Sequence, residues 1–294
     1  MHRQAKAYCY GLATVLCWST VASAFKLSLR HLDPMQLVFW SSLASTVILA
    51  AILAIQGRLR LLAGLTRRDW TLSAVLGLVN PFIYYLVLFK AYDLLPAQEA
   101  QPLNYTWAVT LALLSIPLLK QRIRALDLAA LTVSWCGVLA IATRGDVLSF
   151  RLTDPLGVGL ALLSTVIWSL YWIANTRDTR DPVAGLLLNF VFGTAYAGLA
   201  APWLTDPLAV NVPGLLGAAY VGVFEMGLTF VLWLTALKLS ETTAKVGNLI
   251  FLSPPVSLVL IHVFVGETIH PSTLYGLAFI LAGLAMQRIG KRAH

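Results

Sequence analysis

Residues Pro34 to Gln56 read PMQLVFWSSLASTVILAAILAIQ, a mostly apolar stretch that contains no charged residue. A helix needs about 20 such residues to cross the ~30 Å hydrocarbon core of a bilayer, so this stretch predicts a membrane-spanning helix. Apolar stretches of similar length recur along the whole chain, and they predict an all-α integral membrane protein with ten transmembrane helices. The predicted spans are residues 7–29, 34–56, 70–92, 97–119, 125–143, 155–175, 182–203, 213–235, 243–265 and 271–289.

The composition of the 294-residue chain supports this fold class, because 59% of its residues are apolar and only 12% are charged. An ordinary soluble domain has roughly 45–50% apolar and 25% charged residues. Ten spans leave about eight residues for each connection or end, so the sequence predicts no domain outside the membrane. These observations argue against a soluble enzyme, a nucleic-acid-binding module and a secreted disulfide scaffold.

Basic residues indicate the orientation of the chain. The net charge is +8, and the Lys and Arg residues are scattered among the short connections instead of forming one nucleic-acid-binding patch. With a cytoplasmic N-terminus, 16 of the 21 basic residues lie on the cytoplasmic side, as the positive-inside rule requires. We therefore expect both termini in the cytoplasm. The five basic residues on the other side are Lys26, Arg30, Lys90, Arg144 and Arg151.

Short motifs recur in the same order in the two halves of the chain, at separations of 146 to 150 residues. The pairs are Trp18-Ser19 with Trp168-Ser169, Asp33-Pro34 with Asp181-Pro182, and Gly137 with Gly283. This spacing predicts two five-helix repeats, residues 1–146 and residues 147–294. Because five is odd, the second repeat is inverted relative to the first, as is common in secondary transporters.

The layout resembles the drug/metabolite transporter superfamily, in its ten-helix EamA-type branch that includes bacterial amino-acid exporters. The residues that carry the resemblance are Trp18-Ser19 and Lys26 in the first span and Pro254-Pro255, Gly266-Glu267, Gly276 and Gly283 in the last two spans. The resemblance implies a secondary transporter of small metabolites in the bacterial inner membrane, without a cofactor. Gln121 stands where such proteins often carry a Glu, and this departure favours a packing or loop-fixing role for Glu267.

Prolines interrupt two spans that correspond in the repeat. Pro102 lies in span 97–119, and Pro254-Pro255 lies in span 243–265. Each proline removes a backbone donor and frees the carbonyl group four residues earlier, which hydrocarbon tolerates only where protein or a wet cavity surrounds it. Broken helices line the substrate site of inverted-repeat transporters. Kinks that serve packing are the alternative interpretation.

Glu225 is the only carboxylate predicted near the middle of a span, about 18 Å along its helix. A carboxylate at this depth should face the protein interior. We predict that Glu225 binds a substrate ammonium group or a proton, with a structural hydrogen bond to a neighbouring helix as the alternative. Asn80 is its counterpart in the repeat.

Further polar and aromatic side chains are predicted to line a central cavity together with Glu225. Amides would hold a substrate carboxylate, and aromatic rings would surround the substrate side chain and contact its ammonium group. Interhelical hydrogen bonds and core packing are the alternatives for each residue. Lys26, Lys90 and Glu99 fall near the outer ends of their spans. The lysines are interpreted as snorkelling to the interface, and an outer gate in which Glu99 pairs with Lys90 is the alternative. The predicted substrate-binding residues are Trp18, Asn80, Tyr84, Gln98, Gln101, Tyr105, Trp168, Trp172, Glu225 and Asn248.

Together with the polar residues at depth, the resemblance implies an exporter of aromatic and other neutral amino acids that works by alternating access, as a monomer or a weak homodimer in the lipid bilayer. No nucleotide-binding GxxxxGK[ST] motif, H-E-x-x-H metal site or G-x-S-x-G nucleophile occurs in it. We therefore expect no catalytic residue, metal or cofactor, and we disfavour a membrane-embedded enzyme. The main alternative is an exporter of lipophilic cationic drugs or other small metabolites, because one acid in an aromatic cavity also suits a cation.

Overall fold

The computed structural model describes residues 3–119, 125–146, 148, 152–175, 178–240, 246 and 249–292. Within these residues the chain is helical, and no strand is formed. In this described part, six helical stretches are long and apolar enough to cross a membrane, and three more apolar helices have 10 to 17 residues. The expected all-α membrane architecture is therefore confirmed, whereas the count of ten spans stays a prediction.

Eight helices lie within the described residues of the first half of the chain. Their bounds are α1 (Arg3–Ser28), α2 (Pro34–Ile55), α3 (Arg60–Ala63), α4 (Arg67–Gly77), α5 (Tyr84–Leu94), α6 (Ala97–Tyr105), α7 (Trp107–Leu119) and α8 (Ala125–Ala142). Helices α4 and α5 belong to one 28-residue span, Arg67–Leu94, which a π-helical segment, Leu78–Ile83, interrupts. Pro102, the predicted interruption of span 97–119, lies inside α6, and the break in this stretch falls at Thr106, between α6 and α7.

Six further helices lie in the described part of the second half of the chain. Their bounds are α9 (Pro155–Asn175), α10 (Pro182–Leu204), α11 (Val212–Val221), α12 (Leu228–Leu239), α13 (Ser253–Leu260) and α14 (Pro271–Arg292). Helices α11 and α12 also belong to a 28-residue span, Val212–Leu239, and the π-helical segment Gly222–Gly227 separates them. A 3₁₀ turn, Leu249–Leu252, precedes α13, and a third π-helical segment, Ile261–Val265, follows it.

Two Asp-Pro motifs begin corresponding helices, as their sequence pattern indicates. The Asp33 carboxylate accepts hydrogen bonds from the second and third backbone N–H groups of α2, and the Asp181 carboxylate does the same for α10. The proline that follows each aspartate has a fixed φ suited to the first helical position and needs no hydrogen-bond acceptor there. The donors are the N–H groups of Met35, Gln36, Val183 and Ala184.

The helices form two compact units, each of which draws on both halves of the sequence. The first unit comprises Met1–Phe89 and Asp178–Leu260, and the second comprises Lys90–Arg177 and Ile261–His294. In the first unit, α1 packs on α12, and both α2 and α4 pack on α10. In the second unit, α8 packs on α14, and α7 packs on α9.

Glycines allow very close helix contacts in the first unit. A Cβ atom added at Gly77, the last residue of α4, would lie 2.3 Å from the carbonyl oxygen of Asn189 on α10. A Cβ atom added at Gly222 would lie 2.3 Å from the carbonyl oxygen of Ser41 on α2. Both contacts bring one backbone against another, which only a residue without a side chain permits. Gly77 directly precedes the π-helical segment Leu78–Ile83, and Gly222 is the first residue of the segment Gly222–Gly227. The close contacts therefore place the start of each segment against a neighbouring helix.

The second unit contains an equivalent pair of contacts between α8 and α14. A Cβ atom added at Gly137 would lie 2.4 Å from the carbonyl oxygen of Gly276. A Cβ atom added at Gly283 would lie 2.5 Å from the carbonyl oxygen of Ala130. The predicted repeats, residues 1–146 and residues 147–294, stay a prediction from the sequence.

Candidate functional site

Glu225 lies at the centre of the span Val212–Leu239, inside the π-helical segment Gly222–Gly227. Its side chain is half-buried, and its Oε1 accepts a hydrogen bond from the hydroxyl group of Tyr85 at 3.1 Å. Its Oε2 is enclosed and has no hydrogen-bond partner among the described residues. Within the described residues, the carboxylate therefore has one hydrogen-bonded oxygen and one buried, unpaired oxygen near the centre of an apolar span.

The π-helical segment around Glu225 depends on its local sequence. Gly222 and Gly227 stand at its ends, and a Cβ atom at Gly227 would lie 2.6 Å from the side chain of Ile48 on α2. The hydroxyl group of Thr229 donates to the carbonyl oxygen of Phe224, within the segment. Because a side-chain donor satisfies this carbonyl group, the irregular backbone does not leave it unpaired.

Asn80 lies at the centre of the span Arg67–Leu94 and breaks the helix there. Its φ of −143° and ψ of 119° are extended rather than helical. The side chain is fully buried, and neither its Oδ1 nor its Nδ2 has a hydrogen-bond partner within the described part of the chain. A buried polar group without a hydrogen-bond partner costs about 1–3 kcal/mol of stability. The stability of the fold therefore does not explain why an amide stands at this position.

Two aromatic side chains of the first unit, Tyr84 and Trp18, are also predicted site residues. Tyr84 is buried, and its ring packs edge-on against that of Tyr85, with 4.8 Å between the ring centroids. Trp18 on α1 is half-buried and packs against Phe230 and Trp233 on α12, at 6.1 and 5.5 Å. Trp18 thus belongs to an aromatic surface between α1 and α12.

The predicted amides of the second unit have different environments. Gln98 is buried, and its Nε2 donates to the carbonyl oxygen of Thr268 at 2.7 Å, while its Oε1 accepts from the backbone N–H of His270 at 2.7 Å. Its amide therefore joins α6 to the connection before α14. Gln101 is also buried, but its Oε1 has no hydrogen-bond partner among the residues that the structure describes. Tyr105 is half-buried at the end of α6.

The predicted tryptophans of the second unit form one aromatic group on α9. Trp168 is buried and stacks on Tyr171 at 5.9 Å, and it meets Trp172 edge-on at 6.0 Å. The Nε1–H group of Trp172 is buried and has no acceptor in the described ranges. It is a buried donor beside the aromatic rings of Trp168 and Tyr171, and a buried Trp N–H group usually has a hydrogen-bond partner.

Glu267 fixes the start of α6. Its Oε1 and Oε2 accept hydrogen bonds from the backbone N–H groups of Ala97 and Gln98, at 2.8 and 3.0 Å. These donors belong to the first turn of α6, where backbone N–H groups have no partner within the helix. The predicted loop-fixing role of Glu267 is confirmed.

The alternative ion pair between Glu99 and Lys90 is wrong. Glu99 is fully buried and pairs with Arg144, Nε to Oε1, at 2.8 Å, whereas Lys90 pairs with Asp93 at 2.6 Å.

Asn248, another predicted site residue, lies outside the described residues, as does Gln121. The sequence interpretation missed Tyr85 and Arg144, because an aromatic residue in a span and an arginine in a connection are both common there.

A buried ion pair joins the connection before α10 to α4. The guanidinium of Arg180 donates to both carboxylate oxygens of Asp178, at 2.7 to 3.1 Å, and its Nη1 donates to the hydroxyl group of Ser73 at 2.6 Å. Burial raises the pKa of Asp178, but the hydrogen bonds from Arg180 lower it further and hold it below the usual value. This cluster fixes the connection at one end of the first unit.

Comparisons with known proteins agree with the fold. The model of the EamA-like transporter family matches residues 5–143 and again residues 155–288. An uncharacterized transporter of Clostridium kluyveri is 26% identical over 288 residues, which cover 95% of this chain and 91% of that protein. The aromatic amino acid exporter YddG of Ancylobacter novellus is 26% identical over 280 residues, or 94% of either chain. One crystal structure aligns with a TM-score of 0.69 at 24% identity, over 98% of both chains.

Apolar helices with polar groups buried at their centres define an integral membrane protein with a polar interior, the class to which membrane transporters belong. The chain belongs to the EamA-like transporter family of the drug/metabolite transporter superfamily, because the family model covers nearly all of it. It is a multi-pass membrane transporter of small molecules.

Proposed function

We propose that the protein exports neutral amino acids, aromatic ones included, across the bacterial inner membrane by alternating access. One observation carries the proposal: two 28-residue spans are both interrupted at their centres by a π-helical segment that holds a polar residue with unpaired atoms. These residues are Asn80 and Glu225, which correspond in the predicted repeat. Irregular backbone with available polar groups at mid-membrane depth is typical of substrate sites.

The chemistry of these groups suits a zwitterion. Oε2 of Glu225 is buried and unpaired in this conformation, and it would accept from an ammonium group when alternating access exposes the site. The buried Asn80 amide has both a donor and an acceptor without partners among the described residues, so it can contact either charged group of an amino acid. Aromatic rings such as Trp18 provide surface for an apolar side chain. The name of the YddG relative supports amino acids as the substrate class over other small metabolites.

The glycine contacts support ten helices arranged as two inverted five-helix repeats. Gly77 meets Asn189 as Gly222 meets Ser41, and the corresponding residues are 145 and 148 positions apart. In the second unit, Gly137 meets Gly276 as Gly283 meets Ala130, with both separations equal to 146. The double match of the family model, to residues 5–143 and 155–288, supports the same arrangement. An even number of spans agrees with both termini on the cytoplasmic side.

The predicted residues of the second unit contribute to the proposal to different extents. Gln101 and Trp172 have available polar atoms, and we propose them as further substrate contacts together with Tyr105 and Trp168. Gln98 bonds to Thr268 and His270, so its amide is engaged in this conformation.

Counterflow of radiolabelled amino acids in proteoliposomes tests the proposed function. We expect uptake of aromatic and other neutral amino acids above that of empty liposomes. Glu225→Gln should lower this flux at least tenfold without lowering thermal stability, because the amide cannot neutralise an ammonium group. Asp93→Asn is the matched control, since it removes an exposed carboxylate whose ion pair contributes only about 0–1 kcal/mol.

Two results would contradict the proposal. If no amino acid in a panel of twenty gives flux above empty liposomes, the substrate class is wrong. If Glu225→Gln keeps its flux and loses stability, the carboxylate has a structural role. Competition by lipophilic quaternary cations, stronger than competition by any amino acid, would favour a drug exporter instead.

A further inference from the structure

A groove of about 280 Å³ lies among α7, α8 and α9 in the second unit, and side chains of all three helices line it. Val109 on α7 and Val138 on α8 are its most buried apolar lining residues, and each is only 4% exposed. Trp135, which also lines it, is 46% exposed. The α7–α9 groove therefore extends from the outer surface of the protein down to side chains that are otherwise enclosed.

The walls of the α7–α9 groove present hydrocarbon groups, although four of the described residues that line it carry hydroxyl groups. The Thr106 hydroxyl donates to the carbonyl oxygen of Leu103 at 2.7 Å, and the hydroxyls of Thr110 and Thr165 share a hydrogen bond at 2.8 Å. The Ser134 hydroxyl lies directly against Gly283 on α14, where an added Cβ atom would overlap it. A zwitterion would lose its hydration in this groove without gaining hydrogen bonds. The four residues are Thr106, Thr110, Ser134 and Thr165.

The α7–α9 groove lies at the depth of the hydrocarbon core of the bilayer. Its lining residues Leu162 and Val166 lie about 10–17 Å along the 21-residue helix α9, and the centre of a ~30 Å core lies ~15 Å from either face. Leu163, between them, is 46% exposed and belongs to the apolar surface that the membrane covers. The groove is therefore continuous with the surface that lipid acyl chains contact.

The volume of the α7–α9 groove suits part of an acyl chain. A methylene group has about the volume of a water molecule, ~30 Å³, so the groove holds about nine carbons. This is about half of a common phospholipid chain, and the distal half of such a chain lies near the bilayer centre. An empty groove would leave its walls without van der Waals contacts, whereas a chain end can follow an irregular apolar space and fill it.

We propose that the α7–α9 groove is a binding site for the distal half of one acyl chain of a membrane phospholipid. The contacts are hydrocarbon contacts, so the site selects a chain rather than a headgroup. The proposal is independent of the transported substrate, because none of the predicted substrate-binding residues lines the groove.

Photolabelling in phosphatidylcholine vesicles tests the proposal. The full-length protein is reconstituted with a phosphatidylcholine that carries a diazirine either at the end of one acyl chain or next to its ester group, and mass spectrometry identifies the labelled residues. Lipids that only pass along the surface should label exposed residues such as Leu170, which is 43% exposed. We expect the chain-end probe to label Val109 and Val138 about as strongly as Leu170, and the ester-adjacent probe to label these valines at least fivefold less.

A variant that fills the α7–α9 groove and a matched control define the specificity of this labelling. Val166→Phe adds four carbon atoms to a lining residue and should lower chain-end labelling of Val109 and Val138 at least threefold. Its melting temperature should not fall, because the added ring occupies empty space. Leu163→Phe changes an exposed residue of the same helix that does not line the groove, so labelling of the two valines should stay unchanged.

Three results would overturn the proposal: chain-end labelling confined to exposed residues, equal labelling of Val109 and Val138 by both probes, or unchanged labelling in folded Val166→Phe. If Val166→Phe does not fold, the comparison of the two probes in the unmodified protein decides. Labelling of the two valines should also be independent of the protein-to-lipid ratio. An increase on dilution would mean that a second copy of the chain covers the groove, and it would overturn the assignment to lipid.

Discussion

Substituting Gly77 or Gly222 with alanine should destabilise the protein. The added Cβ atom would lie 2.3 Å from a backbone oxygen, more than 1 Å closer than ordinary van der Waals contact allows. Such overpacking costs about 1–3 kcal/mol, and we expect the upper end because a backbone carbonyl cannot rotate away. The better helix propensity of alanine returns only about 1 kcal/mol. The net loss should therefore be about 1–2 kcal/mol at each position.

Thermal unfolding of the purified variants measures this effect. Gly159→Ala is the matched control, since Gly159 is exposed on α9 and an added Cβ atom would meet no atom within 4 Å. We expect this control to be as stable as the unmodified protein or slightly more so. The reasoning is refuted if Gly77→Ala and Gly222→Ala melt like the unmodified protein, or if Gly159→Ala loses as much stability as they do.

Two further predictions concern the ends of the helices. Glu267→Ala leaves the N–H groups of Ala97 and Gln98 without their acceptors, which should cost about 1–3 kcal/mol of stability for each buried donor. Glu267→Gln keeps one acceptor and should therefore lose about half as much stability. Equal melting temperatures of the two variants would contradict this prediction. The pKa of Asp178 is lowered in the folded protein, so its pairing with Arg180 stabilises the protein above pH ~4 and is lost as the pH falls through the lowered pKa. Asp178→Asn should therefore flatten the acid side of a stability–pH profile, and an unchanged profile would contradict the role of this pair.

The main architectural features could be predicted from the sequence because they depend on local patterns. The motif at Asp33 predicts a helix start, since an aspartate before a proline has the two properties that a first turn needs. Glu225 could be identified because a carboxylate in the middle of an apolar stretch is costly wherever that stretch packs. The structure places it at the centre of a 28-residue span.

The partners of these residues could not be predicted, because they depend on how distant segments meet. Tyr84 and Tyr85 are adjacent and chemically identical, but side chains of neighbouring helical residues point about 100° apart. Only the packing of α5 shows that Tyr85 is the one that bonds to Glu225. Glu99 and Arg144 are 45 positions apart, and no short-range pattern connects them.

The π-helical segment at Gly222–Gly227 has a mechanical consequence for Glu225. A π-helical turn contains one residue more than an α-helical turn, since its hydrogen bonds join residues five positions apart. If this extra residue passes along the helix, the side chains between its old and new positions rotate by about 100°, one residue step of an α-helix. The carboxylate can thus change its direction by a local shift in register, while both ends of the 28-residue span remain in place.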